Sequence, residues 1–219
     1  MTQSEFNRKR HWKDVYSNKK ATDVSWYQQH PDYSLKLIKA ASMTPLTKII
    51  DVGGGASILV DHLLETGYQD VTVLDIAQAA IDTAKDRLNH NADAGLRAEN
   101  VTWFIADITE LLTDNEKEPV VYDIWHDRAV FHFLTEQGER ERYIETMNRS
   151  LRTGGEAIIA TFDLDGPEKC SGLEIVRYSA DSLSEMLGKK FKLLETLSEK
   201  HKTPTGRIQT FVYCRFEKL

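Results

Sequence analysis

Ile50-Asp51-Val52-Gly53-Gly54-Gly55-Ala56-Ser57 is the stretch that decides the fold. Residues 48–53 are a short apolar run ending in glycine, and residues 57–66 carry a helical pattern. Glycines between a strand and a helix let the backbone approach a ligand closely, because no Cβ stands in the way. The N-terminus of the following helix adds unpaired N–H groups. A second β-rich run, residues 71–76, holds Asp75 near its end. In doubly wound folds an acid about 20 residues past the glycines accepts hydrogen bonds from ribose hydroxyls.

The same rhythm continues outward. Residues 77–91 place Ala80, Ala84 and Leu88 at helical spacing, with Ile81 alongside. Residues 101–106, 121–126 and 156–162 are further strand-like runs, and 137–150 reads as a helix. Strands alternating with helices imply βαβ units and a parallel sheet. The end of the chain breaks the pattern. Ser179 is placed to cap a helix through Leu187, and 191–201 and 206–216 are two strand-like runs joined by Lys202-Thr203-Pro204-Thr205-Gly206. That turn makes a hairpin, so the sheet is expected to be mixed. Residues 163–178 read as a long irregular connection, a length often associated with function.

Composition bounds the rest. The chain has 219 residues, 41% apolar and 28% charged, which excludes a wholly disordered chain and a fibre. The net charge of −6 disfavours an extended nucleic-acid groove. Two cysteines in separate segments, Cys170 and Cys214, suit a reducing compartment, so a cytoplasmic location is expected. No apolar run approaches a membrane span, and the first residues lack the apolar core of a signal peptide. Asp163-Leu164-Asp165-Gly166 lacks the remaining ligands of a calcium loop, and no metal site is expected.

The glycine loop departs from the nicotinamide fingerprint. Counting from Gly53, the sixth position is Ile58, where close helix packing under a pyrophosphate needs a small residue. Asp51 precedes the glycines, and its carboxylate would repel a pyrophosphate while attracting an ammonium. S-adenosylmethionine (SAM) has a ribose, an adenine, a sulfonium and an amino-acid tail, and no phosphate. A nicotinamide-dependent oxidoreductase stays as the rival enzyme. A SAM-binding protein that methylates nothing stays as the non-enzyme alternative.

Asp51-x-Gly53-x-Gly55, Asp75, Ala106-Asp107-Ile108 and Leu151-Arg152-Thr153-Gly154-Gly155 together resemble the motifs of class I SAM-dependent methyltransferases. The resemblance covers about residues 45–219. It implies an α/β, doubly wound, Rossmann-like sheet of seven strands, order 3-2-1-4-5-7-6, with the last strand antiparallel. His11-Trp12-Lys13-Asp14-Val15-Tyr16 and Ser25-Trp26-Tyr27 are similar to the aromatic segment of a subgroup. That subgroup includes lysine methyltransferases of elongation factors and citrate synthase. The match implies that residues 1–44 form an N-terminal helical lid on the domain at 45–219, with Trp12, Tyr16 and Tyr27 over the cofactor.

The expected cofactor contacts follow. Gly53, Gly54 and Gly55 admit SAM, or its product S-adenosylhomocysteine (SAH), and Asp51 places the amino-acid end. Asp75 holds the ribose, Ile76 is a further cofactor contact, and Asp107 and Ile108 hold the adenine. His126 and Asp127, at the end of the fourth strand, are the candidate catalytic residues, with His126 also near the cofactor. Arg128 is expected to pair with Asp127 or a helix end, and His132 to be a core histidine. The 163–178 loop with Cys170, and His201 and Thr203, are candidates to border the acceptor. A small molecule is favoured slightly over a protein lysine as acceptor, and a monomer is expected.

Overall fold

The computed structural model describes residues 7–91, 97–111 and 120–219. In chain order its elements are α1 (Arg8–Asn18), α2 (Asp32–Ala41), β1 (Lys48–Val52), α3 (Leu59–Glu65), β2 (Asp70–Asp75), α4 (Gln78–His90), β3 (Val101–Ile105) and β4 (Tyr122–Arg128). There follow α5 (Gln137–Ser150), β5 (Leu151–Phe162), the two-residue strands β6 (Lys169–Cys170) and β7 (Leu173–Glu174), α6 (Ala180–Leu187), β8 (Phe191–Lys202) and β9 (Ile208–Lys218).

Seven strands form one sheet in the order β3-β2-β1-β4-β5-β9-β8. The first five are parallel, and β9 runs antiparallel to both β5 and β8. This is the expected order, with the terminal hairpin supplying its last two strands. Four of the five residues of β1 are buried, because helices cover both faces of a parallel sheet.

The pleat sorts alternate residues onto those faces. Ile49, Val71, Val73, Ile124 and Ile158 pack with Leu37 and Ile38 of α2, Leu63 of α3, and Ile81 and Leu88 of α4. Ile50, Val52, Leu74, Trp125 and Ile159 pack with Tyr143 and Met147 of α5, and Leu183 and Leu187 of α6. The N-terminal segment therefore has two parts: α2 is built into the sheet core, and α1 lies elsewhere, its Trp12 and Tyr16 against Ala56, Ala77 and Ala80.

Ser179 caps α6 as expected, its hydroxyl accepting from Ser182 N while Ser182 Oγ accepts from Ser179 N. Two boundaries differ from the sequence reading. α3 starts at Leu59, after a turn in which Ser57 Oγ accepts from Leu59 N. The 163–178 connection is partly ordered, since β6 and β7 pair around Ser171 and Gly172, both at positive φ. Two successive left-handed residues make a tight hairpin turn. Among the described residues no helix is long and apolar enough to cross a membrane.

Candidate active site

The strand order reverses between β1 and β4, and the crevice at the carboxyl ends of such strands is where open α/β sheets bind ligands. Here the β1 turn is built of glycines packed closely against neighbouring side chains. Gly53 has φ +70, and a Cβ on it would sit 2.0 Å from Val130 Cγ2. A Cβ on Gly54 would lie 2.3 Å from Asp51 Oδ2, and one on Gly55 would lie 2.4 Å from Asp75 Oδ2. The glycines thus leave both carboxylates their positions. Gly55 supports Asp75 from behind and does not itself line the cavity.

Asp75 is buried, with Oδ1 accepting from Ala77 N at 2.8 Å. Burial pushes its carboxyl up to about 7, and the nearby Asp51 adds to the shift. A buried carboxylate with so little pairing favours a ligand that brings hydroxyl donors.

The crevice has two connected halves. One is lined by Trp12, Asp75, Ile76, Asp107, Ile108 and Val130. The other is lined by Tyr27, Ser34, Asp51, Gly54, Ser57 and His126. Tyr16, Trp26, Gly53 and Arg128 border both. An aromatic roof closes the first half: Trp12 stands edge-on to Trp26 at 5.7 Å and to Phe133 at 5.0 Å, with Tyr16 6.4 Å from Trp26.

His126 and Asp51 are neighbours across the β1–β4 pair. His126 Nδ1 is 2.7 Å from Asp51 Oδ1, and Nε2 is 2.8 Å from Ser34 Oγ on α2. Both ring nitrogens are engaged, so His126 orients Asp51. Asp107 Oδ1 accepts from Thr109 N and Oγ1, and Oδ2 pairs with Arg8 at 3.1 Å. Arg8 also reaches Glu139, so one guanidinium fastens α1 to the loop after β3 and to α5.

Asp127 departs from the sequence reading. Successive residues on a strand face opposite sides, and Asp127 shares the face of Trp125, toward α5. Its carboxylate accepts from Val130 N, Phe131 N and Tyr143 Oη at 2.8, 3.0 and 2.6 Å. It is fully buried, lies outside the cavity lining, and holds the turn after β4. Burial raises its carboxyl to about 6. Asp127 and His126 do not face one acceptor.

Arg128 also differs. It pairs with neither Asp127 nor a helix end. Its Nε donates to Tyr213 Oη at 2.7 Å, its Nη1 to the Trp26 carbonyl at 3.0 Å, and its Nη2 to Glu199 at 3.4 Å. The guanidinium lies over Phe211, 4.3 Å from the ring centre. The crevice residues that sequence reasoning did not place there include Arg8, Ser34, Arg128 and Val130. An arginine ending a buried strand was the available signal for Arg128; the others depend on contacts between distant segments.

His132 is a core histidine packed on Phe162, and burial drops its pKa to about 3. His201 bonds the Ser25 carbonyl at 2.8 Å, and neither it nor Thr203 lines the crevice. Cys170 borders the crevice, and burial pushes its thiol up to about 12, which leaves it protonated.

Residues 49–155 match the family model described as a methyltransferase domain. This stretch of the chain is similar to a methyltransferase domain. It includes the glycine turn, Asp75, Asp107 and His126. The "eEF1A lysine and N-terminal methyltransferase" of Mus musculus is 27% identical over 156 residues, 69% of this chain and 21% of that protein. The Drosophila pseudoobscura homologue is 24% identical over 70% of this chain and 22% of its own length. The chain thus spans about a fifth of the length of these relatives.

Solved structures with the same fold include a SAM-dependent methyltransferase from Anabaena variabilis, with TM-score 0.73, 13% identity and coverage of 100% of this chain and 98% of that one. The N-methyltransferase NodS of Bradyrhizobium japonicum, in complex with SAH, aligns with TM-score 0.69 and 16% identity, over 94% and 97% of the two chains. At these identities the likeness is one of fold.

Proposed function

We propose that the chain moves a methyl group from SAM to a small-molecule acceptor. The observation that carries this reading is the division of the crevice. Asp75, Asp107 and Ile108 line one half, Asp51 and His126 line the other, and Tyr16, Trp26, Gly53 and Arg128 border both. SAM divides likewise, with adenine and ribose on one side of the sulfonium and the amino-acid tail on the other.

The residues fit that molecule. Asp75 would accept the ribose hydroxyls, and the glycine cradle leaves room beside it. Asp51, oriented by His126 and Ser34, would hold the ammonium of the tail. The faces of Tyr16 and Trp26 favour a cation at the junction. When bound, the cofactor supplies a methyl group already activated on sulfur. The chain's own task is alignment and exclusion of water, an effect that reaches about 7–11 kcal/mol in favourable cases. The acceptor's lone pair forms the bond to the methyl carbon as the carbon–sulfur bond breaks, with that electron pair staying on sulfur. An acceptor N–H or O–H proton then leaves to solvent.

The aromatic roof of Trp12, Trp26 and Phe133 over the first half of the crevice supports a small acceptor. The test incubates the protein with methyl-labelled SAM and a cell extract separated into low-mass and protein fractions. Label is expected in the low-mass fraction and absent with Asp75→Ala. Label confined to protein would overturn the small-molecule reading.

A further inference from the structure

Beside the cofactor crevice lies a second cleft of ≈ 430 Å³, in the size range of small-molecule sites. It opens between the β6–β7 hairpin and the turn joining β8 to β9, and it contains Lys19, Asp23, Lys169, Arg207 and Gln209. Trp26 borders this cleft and both halves of the cofactor crevice. Cys170 borders the cleft and the first half. The thin wall between cleft and crevice therefore stands beside the ring where the transferable methyl would lie.

The cleft has a charge preference. Three cations face one carboxylate, Asp23, within its lining. Lys169 is paired with Glu174 at 2.5 Å. Among the described residues, Lys19 and Arg207 are in no ion pair. With Asp23 set against Lys19 and Arg207, the lining keeps an excess of one positive charge, which repels an incoming ammonium and attracts an anion. Gln209 adds a polar mark: its Oε1 is buried with no hydrogen-bond partner among the described residues. An orphaned acceptor of this kind costs free energy until a donor meets it.

We infer that this cleft is the acceptor port, and that it takes a small carboxylate or phosphate whose N–H or O–H reaches Gln209. The anion rests between Lys19 and Arg207 at the mouth, and the nucleophilic end points to Trp26 and Cys170. Trp26 is the positioning element of the wall, because Arg128 holds its carbonyl from the far side. A protein lysine, arriving as an ammonium, is disfavoured by the same charges. The inference rests on the SAM reading above.

The test titrates the SAH-saturated protein with benzoate, phenyl phosphate and benzylamine. At least one anion is expected to bind, and benzylamine not. The two anions separate a carboxylate site from a phosphate site. The combined Lys19→Glu and Arg207→Glu variant is expected to weaken anion binding at least tenfold and change SAH affinity less than twofold. Binding of benzylamine alone, anion binding unaltered in the variant, or no anion binding to SAH-loaded protein would each overturn the acceptor port while leaving the cofactor site standing. Failure of SAH to bind the native chain would overturn both.

Discussion

His126 Nδ1 lies 2.7 Å from Asp51 Oδ1, while the other ring nitrogen lies 2.8 Å from Ser34 Oγ. The imidazole is a bridge between β1, β4 and α2, buried at 2% exposure, and no ring nitrogen is left for an acceptor proton. His126→Gln is therefore expected to weaken SAH about tenfold, or about 1.4 kcal/mol. Ser34→Ala is expected to do less, since His126 keeps Asp51. Calorimetric titration of both variants checks this. Unchanged SAH affinity in His126→Gln would remove His126 from the cofactor site.

Asp127 is expected to matter for stability and hardly for the cofactor. Its carboxylate satisfies two backbone N–H groups and the Tyr143 hydroxyl, which itself accepts from Trp125 Nε1 at 2.9 Å. Asp127→Ala strands these buried donors and should cost about 3 kcal/mol. Denaturant unfolding measures the loss, and SAH affinity of the folded fraction should stay within about threefold. A stable variant that cannot bind SAH would contradict the assignment.

The contrast between these two neighbours shows what the sequence could and could not tell. The glycine turn, Asp75 and the terminal hairpin were legible because each is local chemistry at fixed spacing. His126 and Asp127 looked like one polar cluster because they are adjacent in the chain. Strand alternation separates them, because β4 extends through both residues, beyond the apolar run 121–126. The Arg8–Asp107 and Arg128–Trp26 contacts join residues about a hundred positions apart, and no local pattern encodes which segment an arginine will reach. The core role of α2 was hidden similarly, because Leu37 and Ile38 are buried by strands that follow them in the chain.

Tyr16 tests the aromatic border of the junction. SAM carries a sulfonium charge and SAH does not, and an aromatic face favours the cation by about 0.5–2 kcal/mol. Tyr16→Leu keeps an apolar surface and removes that face. It is expected to weaken SAM more than SAH, lowering the ratio of their affinities severalfold. Equal losses for the two ligands would mean that Tyr16 only packs.

Asp75 sets a pH dependence. Its carboxyl is raised to about 7, against an unfolded value near 3.9. Below about pH 4 both states hold the proton and the contribution to stability is fully present. It is lost as pH rises through the folded value. Asp127, raised to about 6, acts in the same direction. The ligand-free protein should therefore lose thermal stability between about pH 4 and pH 7 through these groups, and Asp75→Asn should flatten part of that slope. Ribose hydroxyls favour the ionised carboxylate, so SAH should bind more tightly as pH rises through about 7 and release a proton. Calorimetry in buffers of different ionisation enthalpy measures that proton. A pH-independent affinity with no proton release would contradict the role of Asp75.

The most direct measurement is calorimetric titration of the native chain and Asp75→Ala with SAM and SAH. Saturable binding of both ligands by the native chain, weakened at least tenfold in a folded Asp75→Ala, is the expected result. No binding of either ligand to the folded native chain, or equal affinity in the variant, would contradict the cofactor site on which the proposed methyl transfer rests.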